Sequence, residues 1–135
     1  MSLDRRPGGS PSGQGAGKPG TPPIRILVVD DSAVIRGIYA RSIKDVPDLE
    51  LVASVGDGLK AIDAVTQYQP EVAILDIEMP RMDGLTALPK MLEVDPTLQI
   101  IMASTLTLKN ASISMKALSA GAKDYVSKPT SATQI

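Results

Sequence analysis

The stretch Glu71-Val72-Ala73-Ile74-Leu75-Asp76-Ile77-Glu78-Met79-Pro80-Arg81-Met82-Asp83-Gly84 decides the fold. Its first part, residues 72–75, is a short apolar run with branched side chains, which suits a strand covered on both faces rather than a one-sided helix. Asp76 follows at once, at the carboxyl end of that strand, where open α/β sheets build their sites. Met79-Pro80 and Asp83-Gly84 then force a loop.

Working outward, the same grammar recurs. Residues 24–29 are β-branched and apolar, Asp30-Asp31-Ser32 forms an acidic turn, and Val34, Ile35, Ile38 and Ile43 have helical spacing as far as Pro47-Asp48, with Gly37 weakening that helix. Residues 49–55 read as a second strand and Gly56-Asp57-Gly58 as a turn. Leu59, Ile62, Val65 and Tyr68 form the inward stripe of a second helix ending before Pro70. Past the loop, Leu85, Leu88, Met91 and Leu92 predict a third helix, kinked or late in starting because Pro89 removes one backbone donor. Residues 99–103 form a fourth strand, with Ser104 as the first residue beyond it. Ala111, Met115 and Leu118 mark a fourth helix stopped by Gly121, and residues 124–127 a fifth strand before Lys128-Pro129.

Five strands alternating with helices predict a doubly wound α/β domain with a five-stranded parallel sheet and helices on both faces. It occupies residues 24–135. Residues 1–23 hold six Gly and five Pro among Ser, Gln and Lys, and read as a disordered tail; a docking arm carrying Arg5, Arg6 and Lys18 is the alternative.

Composition removes several classes of function. Fourteen basic against 15 acidic side chains give a net charge of −1, which provides neither a field for nucleic acid nor a polybasic membrane patch. No apolar run approaches the roughly 18 residues of a membrane span. The absence of Cys removes disulfides and thiolate metal sites and fits a reducing compartment, so the cytoplasm is the expected location. The absence of His excludes imidazole catalysis and a phosphohistidine on this chain.

The predicted topology gathers Asp30, Asp31, Asp76, Ser104 and Lys128 from four strand ends. Singly, each has an ordinary explanation: Asp31 or Ser32 caps a helix, Asp76 starts a turn, Ser104 ends a strand, Lys128 is a solvated charge. Together, three carboxylates in one pocket repel one another unless a cation neutralises them. Lys128 supplies one cation, and the oxygen-only donor set favours Mg²⁺ as another. Asp31 and Asp76 are its expected direct ligands, with Asp30 acting through a bound water and the Glu78 backbone carbonyl completing the set. Such a site suits phosphoryl transfer to Asp76, with Lys128 pairing one phosphoryl oxygen and the Ser104 hydroxyl donating to another.

These residues resemble the receiver domain of two-component response regulators. The likeness covers residues 24–135 and rests on Asp30-Asp31 after the first strand, Asp76 after the third, Ser104 after the fourth and Lys128-Pro129 after the fifth. It implies a flavodoxin-like sheet in the order 2-1-3-4-5, a sensor histidine kinase as phosphodonor, and an attached or separate output domain. It also implies that Tyr125, three residues before the lysine, turns inward when Ser104 is drawn to the phosphoryl group. A finer resemblance is to the regulatory domain of chemotaxis protein-glutamate methylesterases. It is carried by D-I-E-M-P-R-M-D-G-L at 76–85, S-T-L-T at 104–107 and A-L-S-A-G-A-K-D-Y-V-S-K-P at 117–129.

Two points depart from that pattern: Pro89 falls within the family's third helix, and the residues after Pro129 supply only the start of a fifth helix. Thr105 also competes with Ser104 as the switch hydroxyl. The esterase half is not in this segment, so methyl-ester hydrolysis is not expected of it. The competing readings are a stand-alone or transcription-linked receiver, a receiver-like module that no longer takes phosphate, and an aspartyl-phosphate phosphohydrolase. In the last class the nucleophile follows the first strand with a second Asp two residues on, a spacing that Asp30-Asp31-Ser32 lacks.

Overall fold

In the computed structural model, residues 20–105 and 107–129 are described. The elements run β1 (Ile24–Val29), α1 (Ala33–Lys44), β2 (Leu49–Val55), α2 (Gly58–Tyr68), β3 (Val72–Asp76), α3 (Gly84–Val94), β4 (Gln99–Ser104), α4 (Leu108–Ser119) and β5 (Asp124–Ser127). The strands form one sheet in the order β2-β1-β3-β4-β5, with every neighbouring pair parallel. The expected fold class is therefore the one found. Residues 1–19 of the expected tail, and the expected beginning of a fifth helix, lie outside the described residues.

Alternation along β1 divides the core. Leu27 and Val29 join α2, α3 and α4 through Ala61, Val65, Leu88, Met91 and Ala117, while Ile26 and Val28 face Tyr39 and Ile43 of α1 on the other side. Covered on both faces, the central strands are apolar nearly throughout, which is why residues 72–75 read as an unbroken run. Each helix is entered through a capping side chain. Ser32, Asp57, Asp83 and Thr107 accept from the backbone N–H three residues on.

The helix faces depart from the sequence expectation in several places. In α1, Val34 is 73% exposed and Tyr39 takes a buried place instead. In α2, Leu59 and Tyr68 point outward, and the small residues Ala61 and Ala64 pack inward with Val65, allowing α2 to lie close to the sheet. In α4, Ala111 is exposed and Met115 is 57% exposed, while Asn110, Ser114 and Ala117 face inward. The α3 helix starts directly after its Asp83 cap and continues through Pro89, so it does not start late. Pro89 lies on the exposed side, where water can serve the Leu85 carbonyl that loses its donor. Ser104 closes β4 from within, paired with Ser127, rather than standing beyond it. Gly121 follows the cap residue Ala120 and takes φ +121°, a conformation that side chains disfavour.

Candidate functional site

The acidic residues are set by the ends of the two central strands. Asp30 follows β1, and its Oδ1 accepts from Ser32 N at 2.8 Å, a two-residue turn that leads into α1. Its backbone carbonyl accepts from Arg36 Nη1 at 2.7 Å. Asp31 sits between them, exposed. Asp76 ends β3 and is 1% exposed. Its Oδ1 accepts from Glu78 N at 3.2 Å and lies 2.8 Å from Lys128 Nζ.

Lys128 is positioned by the end of the edge strand β5. Its backbone N–H donates to Ser104 O at 2.9 Å, and its ammonium, with the side chain 13% exposed, also reaches Asp30 Oδ2 at 3.4 Å. Burial alone would lower its pKa. The hydrogen bond and charge of Asp76, with those of Asp30, outweigh burial and hold it above the ordinary lysine range. Burial raises the Asp76 carboxyl to about 6 against the hydrogen bond from Lys128, and the neighbouring Asp30 charge adds to the rise.

The donor set passes a direct test for a divalent cation. One carboxylate oxygen each from Asp30, Asp31 and Asp76 lie within 4.8 Å of one another. Asp76 Oδ2 is buried and has no hydrogen-bond partner among the described residues. A hard cation with oxygen ligands fits that arrangement, and an unserved buried carboxylate oxygen calls for one.

The loop after Asp76 is tightly built. Gly84 N donates to Ile77 O at 2.8 Å, and a Cβ on Gly84 would run into the Asp76 carbonyl, so only glycine lets α3 begin here. Within the loop, Met82 N donates to Pro80 O at 2.7 Å around Arg81, whose φ is +67°. That is a three-residue γ-turn of the positive-φ hand, a conformation costing on the order of 1–3 kcal/mol for a residue with a side chain. Beside the loop lies a depression of about 530 Å³ lined by Asp31, Met79, Pro80, Leu85, Lys109 and Ile113 among others.

The five strand-end residues expected to converge are thus brought to one end of the sheet, with Lys128 in contact with both Asp30 and Asp76. Ser104 is buried beside them in the strand. Tyr125 is 42% exposed on β5, opposite Met102. Four contributors went unremarked in the sequence. In the sequence Asp57 stands out only as part of a Gly-rich turn, although an Asp three residues before Lys60 fits a cap. Arg81 carries no signal beyond its loop. Asn110, fully buried, donates from Nδ2 to Thr105 O at 3.2 Å and to Thr105 Oγ1 at 3.0 Å. The Tyr39 hydroxyl is buried with no partner among the described residues. Burial, with the Asp30 and Asp76 charges, pushes its pKa up to about 12.

The model of the response regulator receiver domain family matches residues 26–135. The chain belongs to that family. This receiver domain is 54% identical over 133 residues to a protein-glutamate methylesterase/protein-glutamine glutaminase of Azospirillum brasilense, covering 98% of this chain and 34% of that protein. A protein of the same description from Rhodospirillum rubrum is 54% identical over 113 residues, covering 84% of this chain and 29% of that one. The receiver therefore spans about a third of the length of these curated relatives. Among solved structures, the response regulator domain of Thermotoga maritima CheB superposes with a TM-score of 0.74 at 39% identity, covering 84% of both chains. The CheX-CheY-BeF3-Mg+2 complex from Borrelia burgdorferi contains a chain with a TM-score of 0.70 at 30% identity, covering 84% of this chain and 83% of that one. Both the family and its likeness to chemotaxis methylesterase receivers agree with the resemblance read from the sequence. No helix among the described residues is long and apolar enough to cross a membrane.

Proposed function

We propose that this receiver is a phosphoacceptor switch in which Asp76 takes a phosphoryl group from a phosphohistidine on a sensor kinase. The observation that carries the reading is Asp76 itself: a buried carboxylate with Oδ1 held by Lys128 at 2.8 Å and Oδ2, without a partner among the described residues, beside two further carboxylates. In the transfer, Asp76 Oδ2 forms a bond to phosphorus as the phosphorus–nitrogen bond of the donor breaks, and that electron pair returns to the donor imidazole. The product is an acyl phosphate. Asp31 and Asp76 with the Glu78 carbonyl would hold Mg²⁺ directly, and Asp30 through water. Bound there, Mg²⁺ supplies neutralisation of the phosphoryl oxygens.

The chain's own residues do the rest. Lys128 already pairs with the acceptor, so a short movement of its ammonium from Oδ1 to a phosphoryl oxygen keeps one positive charge in place throughout. The Ser104 hydroxyl donates to another phosphoryl oxygen. Ser104 is favoured over Thr105 because Asn110 engages the Thr105 hydroxyl and carbonyl. A shift of Ser104 would make room for Tyr125 to leave its half-exposed position, altering the face formed by α4 and β5.

The output is read from the relatives. The methylesterases named above are about three times longer, and their likeness supports a role for this domain in regulating a linked methylesterase in chemotaxis, in the cytoplasm. The test is incorporation of phosphate from a small acyl-phosphate donor with and without Mg²⁺. Wild type should label only with Mg²⁺ and Asp76→Asn not at all. Equal labelling of the two proteins would refute the reading.

A further inference from the structure

The outer limb of the loop after Asp76 is fastened to a helix that contributes nothing to the acidic cluster. Asp57 caps α2 with one carboxylate oxygen, Oδ1, on Lys60 N at 2.9 Å. Its other oxygen, Oδ2, lies 3.4 Å from Arg81 Nη2, with the Asp57 side chain buried and that of Arg81 68% exposed. Gly58 next to it backs onto Met82 so closely that a Cβ would fall 2.9 Å from the Met82 Cβ and Cγ. Both contacts grip the turn around Arg81, the residue whose φ of +67° an L side chain rarely adopts.

We propose that Asp57 and Arg81 form a clasp that positions the metal-facing loop and thereby sets the affinity of the site for Mg²⁺. The inference rests on the phosphoacceptor reading, in which the Glu78 carbonyl is a ligand. A turn in a disfavoured conformation persists only where its surroundings hold it, and here the hold comes from the α2 cap. At the other end, the loop is pinned by Glu78 N on Asp76 Oδ1 and by Gly84 N on Ile77 O. Glu78 is held through its N–H, while its carbonyl side leads through Met79 and Pro80 into the clasped turn. Releasing the turn leaves the Asp76 end in place but lets the Glu78 carbonyl wander, which weakens a ligand without touching a carboxylate. Asp57 and Arg81 are therefore positioning residues.

The experiment is a Mg²⁺ titration of the whole 135-residue chain, followed by amide chemical shifts, with urea unfolding of each variant in chelator as a separate readout. Asp57→Asn keeps the cap, because the amide oxygen still accepts from Lys60 N, but its NH₂ cannot pair with a guanidinium. Arg81→Ala removes the other partner. Each should weaken Mg²⁺ binding about threefold, as befits a solvent-facing pair. The double variant should be no weaker than either single one, and Arg81→Lys should recover part of the loss. Variants that unfold earlier yet bind Mg²⁺ as wild type does would overturn the clasp. So would single losses that multiply in the double variant. A wild type that fails to bind Mg²⁺ would instead overturn the phosphoacceptor reading beneath it.

Discussion

Asp76→Asn should stabilise the metal-free domain, and by an amount that grows with pH. The Asp76 carboxyl is raised from 3.8 to about 6, burial being the main cause. The folded state therefore binds this proton more tightly than the unfolded chain does. The resulting stability is fully present below about pH 4 and is lost as pH rises through about 6. A shift of about 2 units corresponds to about 3 kcal/mol lost between those limits. Asn mimics the protonated acid in shape and keeps an oxygen toward Lys128, so it escapes that loss. Urea unfolding of both proteins in chelator at pH 4 and pH 7.5 gives the difference directly. It should be near zero at the lower pH and reach about 3 kcal/mol in favour of Asn at the higher. Mg²⁺ should then close the gap by binding the wild-type carboxylate. A difference that does not change with pH, or wild type gaining on the variant as pH rises, would refute the reasoning.

Lys128→Ala leaves Asp30 and Asp76 without the ammonium that lies 3.4 and 2.8 Å from them. It should cost about 3 kcal/mol of metal-free stability at neutral pH, measured by urea unfolding, and slow phosphate labelling strongly. Gly84→Ala drives a Cβ into the Asp76 carbonyl and should lower stability by about 1–3 kcal/mol, seen as a drop in Tm. Tyr39→Phe removes a buried hydroxyl without a partner among the described residues and should raise stability by about 1 kcal/mol. A loss on that substitution would mean that the hydroxyl is bonded.

The strands and the acidic constellation were legible because their signals are local. A run such as residues 72–75 between polar residues has few alternatives to a buried parallel strand, and Asp76 follows it without a gap. Helix orientation was less legible. In α4 the apolar positions Ala111 and Met115 spell an inward stripe, yet Asn110 and Ser114 are the buried positions. The Thr107 cap and the Asn110 bonds to Thr105 fix the rotation of the helix, and these depend on a partner at the end of β4. Val34 misled in the same way, since the cap at Ser32 turns it outward. The pairing of Asp57 with Arg81 was invisible because it joins residues 24 positions apart across two loops, with no periodicity to announce it.

Chemical trapping of the acceptor is the most direct test of the central claim. After labelling with a small acyl-phosphate donor and Mg²⁺, borohydride reduces an aspartyl phosphate to homoserine, which peptide mass mapping can locate. Homoserine at position 76 and nowhere else is the expected result. Phosphate that survives reduction on Ser104 or Thr105, with Asp76 unchanged, would contradict it.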